Sequence, residues 1–187
     1  MIRLHIFDMD GTLLDSMRMW ENVCSEYIRF KGFEPEENLD NIQDEKSFLD
    51  AIRYMVDRYQ LGSVDEAMQD LERYIKNRYE TDLLLFEGIP EYLAEIEQTG
   101  IPMVILTNSP HALADPAMRR TGIDRFFRKI YTYEDIKHAK NDPECFRRTC
   151  ELEGVDPGEV LVHDDADYAQ NAAARAGCNV KKYDRYR

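Results

Sequence analysis

Residues 4–12 read Leu-His-Ile-Phe-Asp-Met-Asp-Gly-Thr, an apolar run that ends abruptly in two aspartates. A short and nearly continuous apolar run is typical of a strand that is buried on both faces of a parallel sheet. The sequence therefore predicts a first strand that delivers Asp8 and Asp10 at its carboxyl end.

Two later apolar runs end in polar residues in the same way. Met103–Leu106 leads into Thr-Asn at 107–108, and Val160–Val162 leads into His-Asp-Asp at 163–165. Helical apolar patterns separate these runs, and strands that alternate with helices predict a parallel sheet covered on both faces. Because ligands bind at the carboxyl edge of such a sheet, we expect at least four carboxylates to meet at one site.

A long helical stretch lies between the first strand and the rest of the sheet. Apolar and aromatic residues at spacings of three and four predict a bundle of three or four helices. The three stripes are Met17, Trp20, Cys24 and Tyr27; Phe48, Ile52, Met55 and Tyr59; and Val64, Met68, Leu71, Ile75 and Tyr79. The predicted fold is α/β, with a Rossmann-like parallel sheet core of residues 1–15 and 87–187 and a small α-helical cap of residues 16–86.

The composition narrows the class of protein. The chain has 187 residues, enough for one domain or for a core with a small insertion. It carries 24 Lys and Arg against 37 Asp and Glu, and this formal net charge of −13 argues against binding nucleic acid or an anionic membrane surface. We expect neither a signal peptide nor a membrane-spanning helix, and hence a cytoplasmic protein, because every apolar run is too short. The sequence does not indicate which oligomeric state the protein has.

The cysteines and the carboxylates suggest different chemistry. The four cysteines form no CxxC pair, so we expect reduced core residues, and they are Cys24, Cys145, Cys150 and Cys178. Carboxylates crowded at one edge repel one another unless some are protonated or a cation neutralises them. Since only oxygen ligands are offered, Mg²⁺ is the expected cation.

The motifs resemble those of the haloacid dehalogenase superfamily, in its phosphatase branch with a helical cap inserted after the first motif. The first motif runs from Asp8 to Ser16, the second is Thr107, the third is Lys140, and the fourth is Asp164 with Asp165. The resemblance covers essentially the whole chain. It implies a Mg²⁺-dependent phosphatase that acts on a small phosphorylated metabolite through an aspartyl phosphate.

The resemblance also implies a role for each acidic residue. Asp8 would be the nucleophile that attacks phosphorus, and Asp10 would be the general acid for the leaving oxygen and then the base for water. Mg²⁺ would be held by Asp8, by Asp10 through its main-chain carbonyl, and by Asp164, with Asp165 as the further acid.

Three other residues would bind the phosphoryl group that is transferred. They are the Thr107 hydroxyl, the Asn108 amide and the Lys140 ammonium. A carboxylate nucleophile needs such positive charge nearby, because it must approach a phosphate dianion that repels it.

Three positions depart from the family's pattern and keep alternatives open. Asn141 follows Lys140 where proline is common, His163 replaces the glycine before the fourth motif, and Ala169 stands where a longer form of that motif has a second acid. One alternative is therefore a degenerate, non-catalytic member that binds a metal or a partner. A phosphomutase, which shares all four motifs, is the other. Asp10 favours phosphoryl transfer over dehalogenation, and His163 is interpreted as structural.

Overall fold

A computed structural model of the protein describes residues 1–42 and 48–182. The chain forms two compact units, one of Met1–Asp15 with the chain from Asp82 onward and one of Ser16–Thr81. In the part of the chain that is described, no helix combines the length and the apolar character that a membrane crossing requires.

The first unit contains a sheet of five parallel strands. The strands are β1 (Leu4–Phe7), β2 (Met103–Leu106), β3 (Phe127–Tyr131), β4 (Val160–Asp164) and β5 (Asn179–Lys182). Their order across the sheet is β3-β2-β1-β4-β5, so β1 is central. Phe7 pairs with Ile105 of β2 and with His163 of β4. The carboxyl ends of these three strands therefore lie at one level, as expected for a Rossmann-like sheet.

The second unit is helical in its described residues. Its helices are α1 (Met17–Glu21), α2 (Val23–Phe30), α3 (Phe48–Tyr59) and α4 (Val64–Thr81). Polar bonds link α1 and α2 to α4, since the Trp20 indole donates to the Tyr79 hydroxyl at 2.9 Å and the Tyr27 hydroxyl donates to Asp70 at 3.1 Å. Trp20 thus belongs to the packing of this unit.

The first apolar stripe spans two helices and not one continuous helix. Asn22 interrupts the helix with φ −119° and ψ 14°. Its side-chain amide donates to the carbonyl of Arg18 at 2.7 Å. Such a side chain competes with main-chain hydrogen bonds, which explains the break between α1 and α2.

The chain directly after the helical unit belongs to the first unit. The sequence predicts a cap of residues 16–86, and the compact helical unit comprises Ser16–Thr81. The chain beyond Thr81 pairs with the segment that follows β1, because Asp15 N donates to Leu84 O at 2.9 Å and Phe86 N donates to Leu13 O at 3.1 Å.

Both faces of the sheet are covered by helices of the first unit. These are α5 (Ile89–Glu97), α6 (His111–Thr121), α7 (Tyr133–Ile136), α8 (Pro143–Glu153) and α9 (Asp167–Ala176). Leu4 and Ile6 of β1 share a buried cluster with Phe146 of α8 and Ala172 of α9. On the other face Phe7 packs edge-on against Tyr92 of α5, with ring centroids 6.3 Å apart.

One strand boundary and one helix differ from what the sequence predicts. β4 continues through Asp164, whereas the apolar run ends at Val162, because the ladder with β5 extends to Asp164. Helix α7 was not expected, and it is held by Thr132, whose hydroxyl accepts from Glu134 N at 3.1 Å. The sequence also predicts a last strand over Asn179–Tyr183, and Tyr183 lies outside the described residues.

The four cysteines are all buried, as the sequence predicted, and they are free in the structure. Cys150 of α8 and Cys178 before β5 are close, with their Sγ atoms 4.0 Å apart.

Candidate active site

The site lies at the carboxyl ends of β1, β2 and β4, where the sequence placed it. Asp8 follows β1 directly, and its main-chain N–H donates to His163 O of β4 at 2.8 Å. Thr107 follows β2, and its N–H donates to Tyr131 O of β3 at 3.0 Å. The strand ladder thus continues into the first residue of each motif and fixes where its side chain starts.

Three carboxylates form the acidic centre of the site. One oxygen from each of Asp8, Asp164 and Asp165 lies within 4.8 Å of the other two. Asp8 and Asp164 are 5% and 1% exposed. Burial raises the pKa of Asp8, although the ammonium of Lys140 opposes this rise. Burial, together with the charge of Asp164, also raises the pKa of Asp165.

The donor set fits a hard divalent cation. Asp8 Oδ2 is buried and has no hydrogen-bond partner among the described residues. An unpartnered buried carboxylate oxygen is costly unless a positive charge satisfies it. Three carboxylates without histidine or cysteine are the ligand type that Mg²⁺, Ca²⁺ and Mn²⁺ prefer.

Lys140 lies between two of these carboxylates. Its ammonium donates to Asp8 Oδ1 and, at 2.8 Å, to Asp164 Oδ2, and the residue is 3% exposed. Burial alone would lower the pKa of this lysine, but the two carboxylates reverse the effect and raise it. Lys140 is therefore a buried, charged member of the site and not a surface lysine.

The loop that carries Lys140 is fixed from both sides. On one side, the Lys140 N–H donates to the side-chain oxygen of Asn108 at 3.2 Å. On the other side, Asp142 caps α8 by accepting from Glu144 N at 2.9 Å, and Pro143 occupies the first helical position. Asn108 thus holds the main chain of the lysine loop through its oxygen, while its amide nitrogen stays available to a ligand.

Thr12 connects the first motif to the fourth through its hydroxyl group. The Thr12 hydroxyl accepts from Asp165 N at 3.2 Å and donates to Asp165 Oδ1 at 3.3 Å. Thr12 is fully buried. These two bonds orient the carboxylate of Asp165 toward the acidic centre.

Asp10 has a different environment from the other acids. Its Oδ2 accepts a hydrogen bond from the Ser109 hydroxyl at 2.7 Å. Ser109 N in turn donates to the Thr107 hydroxyl at 3.1 Å. The Asp10 side chain is not part of the three-carboxylate group.

Sequence reasoning missed two residues that organise the site. Ser109 is one, and its only signal is its place two residues after Thr107. Gln170 is the other, since its amide donates to the main-chain oxygens of Asp164 and Asp165 at 2.9 and 3.2 Å. No pattern in the sequence marks a glutamine on the first turns of α9 as a partner of the strand before it.

His163 lies outside the acidic centre. Its ring stacks on Phe7 with centroids 4.0 Å apart and planes 3° apart, and its Nε2 is 2.9 Å from Nδ1 of His5. Burial, aided by the neighbouring His5, lowers the pKa of His163 to about 3. The imidazole is therefore neutral and structural. Ala169, the second departure in this motif, is a buried core residue.

The match to a known family covers almost the whole chain. Residues 5–182 match the model of the family described as haloacid dehalogenase-like hydrolase. The chain belongs to the haloacid dehalogenase-like hydrolases. The matched range includes all four motifs and, apart from Leu4 of β1, all five strands of the sheet.

Individual relatives in this family are phosphatases by name. N-acetylmuramic acid 6-phosphate phosphatase of Pseudomonas putida is 30% identical over 168 residues, which cover 88% of this chain and 75% of that protein. Hexitol phosphatase A of Escherichia coli is 27% identical over 175 residues, which cover 94% of this chain and 80% of that protein.

Solved structures share the fold of this haloacid dehalogenase-like hydrolase. A Thermotoga maritima protein, provisionally assigned as a β-phosphoglucomutase, superposes with a TM-score of 0.85 at 21% identity, covering 97% of this chain and 85% of the other. A subfamily IA hydrolase of Geobacter sulfurreducens gives a TM-score of 0.76 at 21% identity, covering 97% and 87%. At this identity the likeness establishes the fold and the sheet-plus-helices architecture.

Proposed function

We propose that this chain hydrolyses a phosphomonoester of a small metabolite, with Asp8 as nucleophile and Asp10 as acid and base. The chain is a phosphatase of the haloacid dehalogenase-like family. The observation that carries the proposal is the buried Lys140 ammonium, which contacts both Asp8 and Asp164. A nucleophilic carboxylate held beside a permanent positive charge is what attack on a phosphate dianion requires.

Asp8, Asp164 and Asp165 would hold a divalent cation together with the main-chain carbonyl of Asp10. The family generally uses a divalent metal, and Mg²⁺ is our assignment from the oxygen-only donors. When bound, the cation offsets the charge of the phosphoryl oxygens and so lowers their repulsion from the carboxylates.

Asp8 begins the reaction. One of its oxygens attacks phosphorus while the bond from phosphorus to the leaving oxygen breaks, which yields an aspartyl phosphate and an alcohol. The attacking carboxylate must be ionised, and burial works against this by raising the pKa of Asp8. Lys140 supplies the positive charge that counters burial.

Asp10 would move the protons. In the first step it gives its proton to the leaving oxygen, and in the second step it takes a proton from the water that attacks the aspartyl phosphate. Phosphate then leaves, and Asp8 is restored as a carboxylate. The Asp10 side chain is bonded to Ser109 and is not part of the three-carboxylate group, so its carboxyl group would serve proton transfer while its main-chain carbonyl would face the cation.

Thr107, Asn108 and Lys140 would bind the phosphoryl group as it is transferred. The Thr107 hydroxyl and the Asn108 amide nitrogen are neutral donors, and the ammonium is a charged one. Fixed donors of this kind stabilise the charge that spreads over the phosphoryl oxygens in the transition state.

The substrate class is a phosphorylated sugar or sugar derivative. The two relatives bear the names of N-acetylmuramic acid 6-phosphate and hexitol phosphates as substrates. A screen of sugar and sugar-alcohol phosphates for released inorganic phosphate identifies the member that this chain prefers.

Hydrolysis of 4-nitrophenyl phosphate, with chelator or with added Mg²⁺, tests the proposal. We expect metal-dependent release of phosphate, loss of turnover in Asp8→Asn and Asp10→Asn, and full activity in the control Asp156→Asn, since Asp156 is exposed and lies outside the site. An unchanged rate in Asp8→Asn would overturn the assignment of the nucleophile. Interconversion of sugar-phosphate isomers without net phosphate release would indicate a mutase, and metal binding without turnover would indicate a non-catalytic member.

A further inference from the structure

We propose that Ser109 is a positioning residue that holds the carboxyl group of Asp10 in place through a hydrogen bond from its hydroxyl. The inference rests on the proposed function, because it deepens the role given there to Asp10. It concerns the turn that follows β2, which is bonded to two other parts of the site.

The three side chains of this turn have three different partners. The Thr107 hydroxyl accepts from Ser109 N at 3.1 Å, the Asn108 side-chain oxygen accepts from Lys140 N at 3.2 Å, and the Ser109 hydroxyl donates to Asp10 Oδ2 at 2.7 Å. The turn thus ties the second motif to the third through Asn108 and to the first through Ser109. Since Ser109 is anchored by its own main-chain N–H, its hydroxyl has a fixed starting point.

A serine hydroxyl suits this position because it is short and donates to an oxygen of the Asp10 carboxyl group at 2.7 Å. A methyl group in its place could not make this hydrogen bond. The loss of the bond therefore leaves the Asp10 side chain without this restraint.

Orientation is what such a partner contributes. Asp10 must reach the leaving oxygen in the first step and the water in the second, and a misplacement of about 1 Å costs on the order of 100-fold in rate. The 2.7 Å bond from the Ser109 hydroxyl restricts the rotation of the Asp10 carboxyl group and so helps to fix its orientation.

The test uses two substrates that differ in how much they need a general acid. The leaving group of phenyl phosphate is a basic phenolate, which needs protonation by a general acid. The leaving group of 4-nitrophenyl phosphate is only weakly basic and needs little protonation. The quantity to compare is kcat/KM, because it reports the step in which the leaving group departs. We expect Ser109→Ala to lose on the order of 10- to 100-fold on phenyl phosphate and at most a few-fold on 4-nitrophenyl phosphate. Ser109→Thr, which keeps the hydroxyl, should restore most of the loss.

A control variant separates this effect from a general loss of structure. Thr121→Val removes a hydroxyl that donates to the main chain of α6, at 2.8 Å from Ala117 O, far along the helix from the turn. It should leave both rates unchanged. Thermal unfolding of all variants reports whether each is folded, and Ser109→Thr remains informative should Ser109→Ala be unstable.

The outcomes distinguish this inference from the proposed function. Equal losses on the two substrates, or no loss in Ser109→Ala, would overturn the positioning role while the phosphatase stands. If the wild-type protein hydrolyses neither substrate with Mg²⁺, the proposed function itself fails, and the role of Ser109 fails with it.

Discussion

Gly11 passes so close to Asp165 that a Cβ atom added at the glycine would lie 2.5 Å from Oδ2 of the aspartate. The same glycine has φ +88°, a left-handed conformation that other residues rarely adopt. Two constraints therefore require glycine at this position. One is its left-handed backbone conformation, and the other is the close carboxylate of Asp165. The position of Asp165 in the fourth motif thus explains why the first motif has glycine at residue 11.

We expect Gly11→Ala to damage the metal site more than the fold. The left-handed conformation costs about 1–2 kcal/mol with a Cβ present, and the methyl group displaces the Asp165 carboxylate from the acidic centre. The variant should need a higher Mg²⁺ concentration for half-maximal activity and should melt at a lower temperature. Metal titrations of activity and thermal unfolding measure the two effects.

Gly158→Ala is the matched control for this prediction. Gly158 has no left-handed φ, and a Cβ atom there would meet nothing within 4 Å. This variant should keep the wild-type metal requirement. A Gly11→Ala protein with unchanged metal dependence would show that Asp165 does not serve the cation.

The sequence predicts the sheet well because buried strands leave a strong local signal. The apolar runs at Leu4–Phe7 and Met103–Leu106 are strands with those bounds. The polar residues directly after each strand could be assigned to one edge, since parallel strands all point the same way.

The remaining features depend on contacts that a local pattern does not contain. Asn22 interrupts an apolar stripe by bonding the main chain of the preceding turn, which periodicity alone does not reveal. Ser109 and Gln170 act on residues that are distant in sequence, so nothing in their own segments marks them. The stacking partners of His163, which come from β1 and α5, are likewise not marked in its own segment.

Replacing Lys140 by methionine should abolish activity and destabilise the metal-free protein. The substitution leaves Asp8 and Asp164 as buried carboxylates without their ammonium partner. Breaking a buried ion pair from one side costs about 3–5 kcal/mol. Urea unfolding in the presence of a chelator measures this loss.

The cation should compensate for part of that loss. Because a Mg²⁺ ion bound as proposed would supply positive charge to the same carboxylates, it should raise the unfolding free energy of Lys140→Met more than that of the wild type. Lys129→Met serves as control, since Lys129 is exposed on β3. Equal stabilisation of Lys140→Met and wild type by Mg²⁺ would contradict a shared site for the ammonium and the cation.

Asp165→Asn should weaken metal binding and leave catalysis largely intact once metal is saturating. The amide keeps the shape of the side chain and an oxygen for the Thr12 hydroxyl, but it removes one negative charge from the three-carboxylate group. The Mg²⁺ concentration for half-maximal activity should rise on the order of tenfold or more. Activity measured over a Mg²⁺ series gives this concentration directly.

Asp164→Asn should lower the maximal rate, whereas Asp165→Asn should mainly raise the metal requirement. Asp164 also accepts from Lys140 at 2.8 Å, so its loss disturbs the ammonium as well as the cation. We therefore expect a lower maximal rate that added Mg²⁺ does not restore. If both variants recover the wild-type rate at high Mg²⁺, Asp164 and Asp165 are equivalent and the bond from Lys140 has no catalytic consequence.

The buried histidine makes the fold sensitive to acid. Burial lowers the pKa of His163 from 6.5 to about 3, so the unfolded chain takes up a proton on this side chain at a pH where the folded protein does not. Where the unfolded state binds more protons, stability falls as the pH falls. The contribution of the neutral His163 imidazole to the free energy of unfolding is thus fully present above pH 6.5 and is lost progressively as the pH falls toward 3.

His163→Phe should remove this sensitivity while keeping a ring to stack on Phe7. Each such group contributes up to about 1.4 kcal/mol per pH unit to the slope of unfolding free energy against pH. Urea unfolding with chelator, between about pH 6.5 and about pH 4, should give a shallower slope for the variant by up to that amount. His138→Gln is the control, because His138 lies at the surface beside Asp142. Identical slopes in His163→Phe and wild type would mean that the buried imidazole takes up its proton in the folded protein.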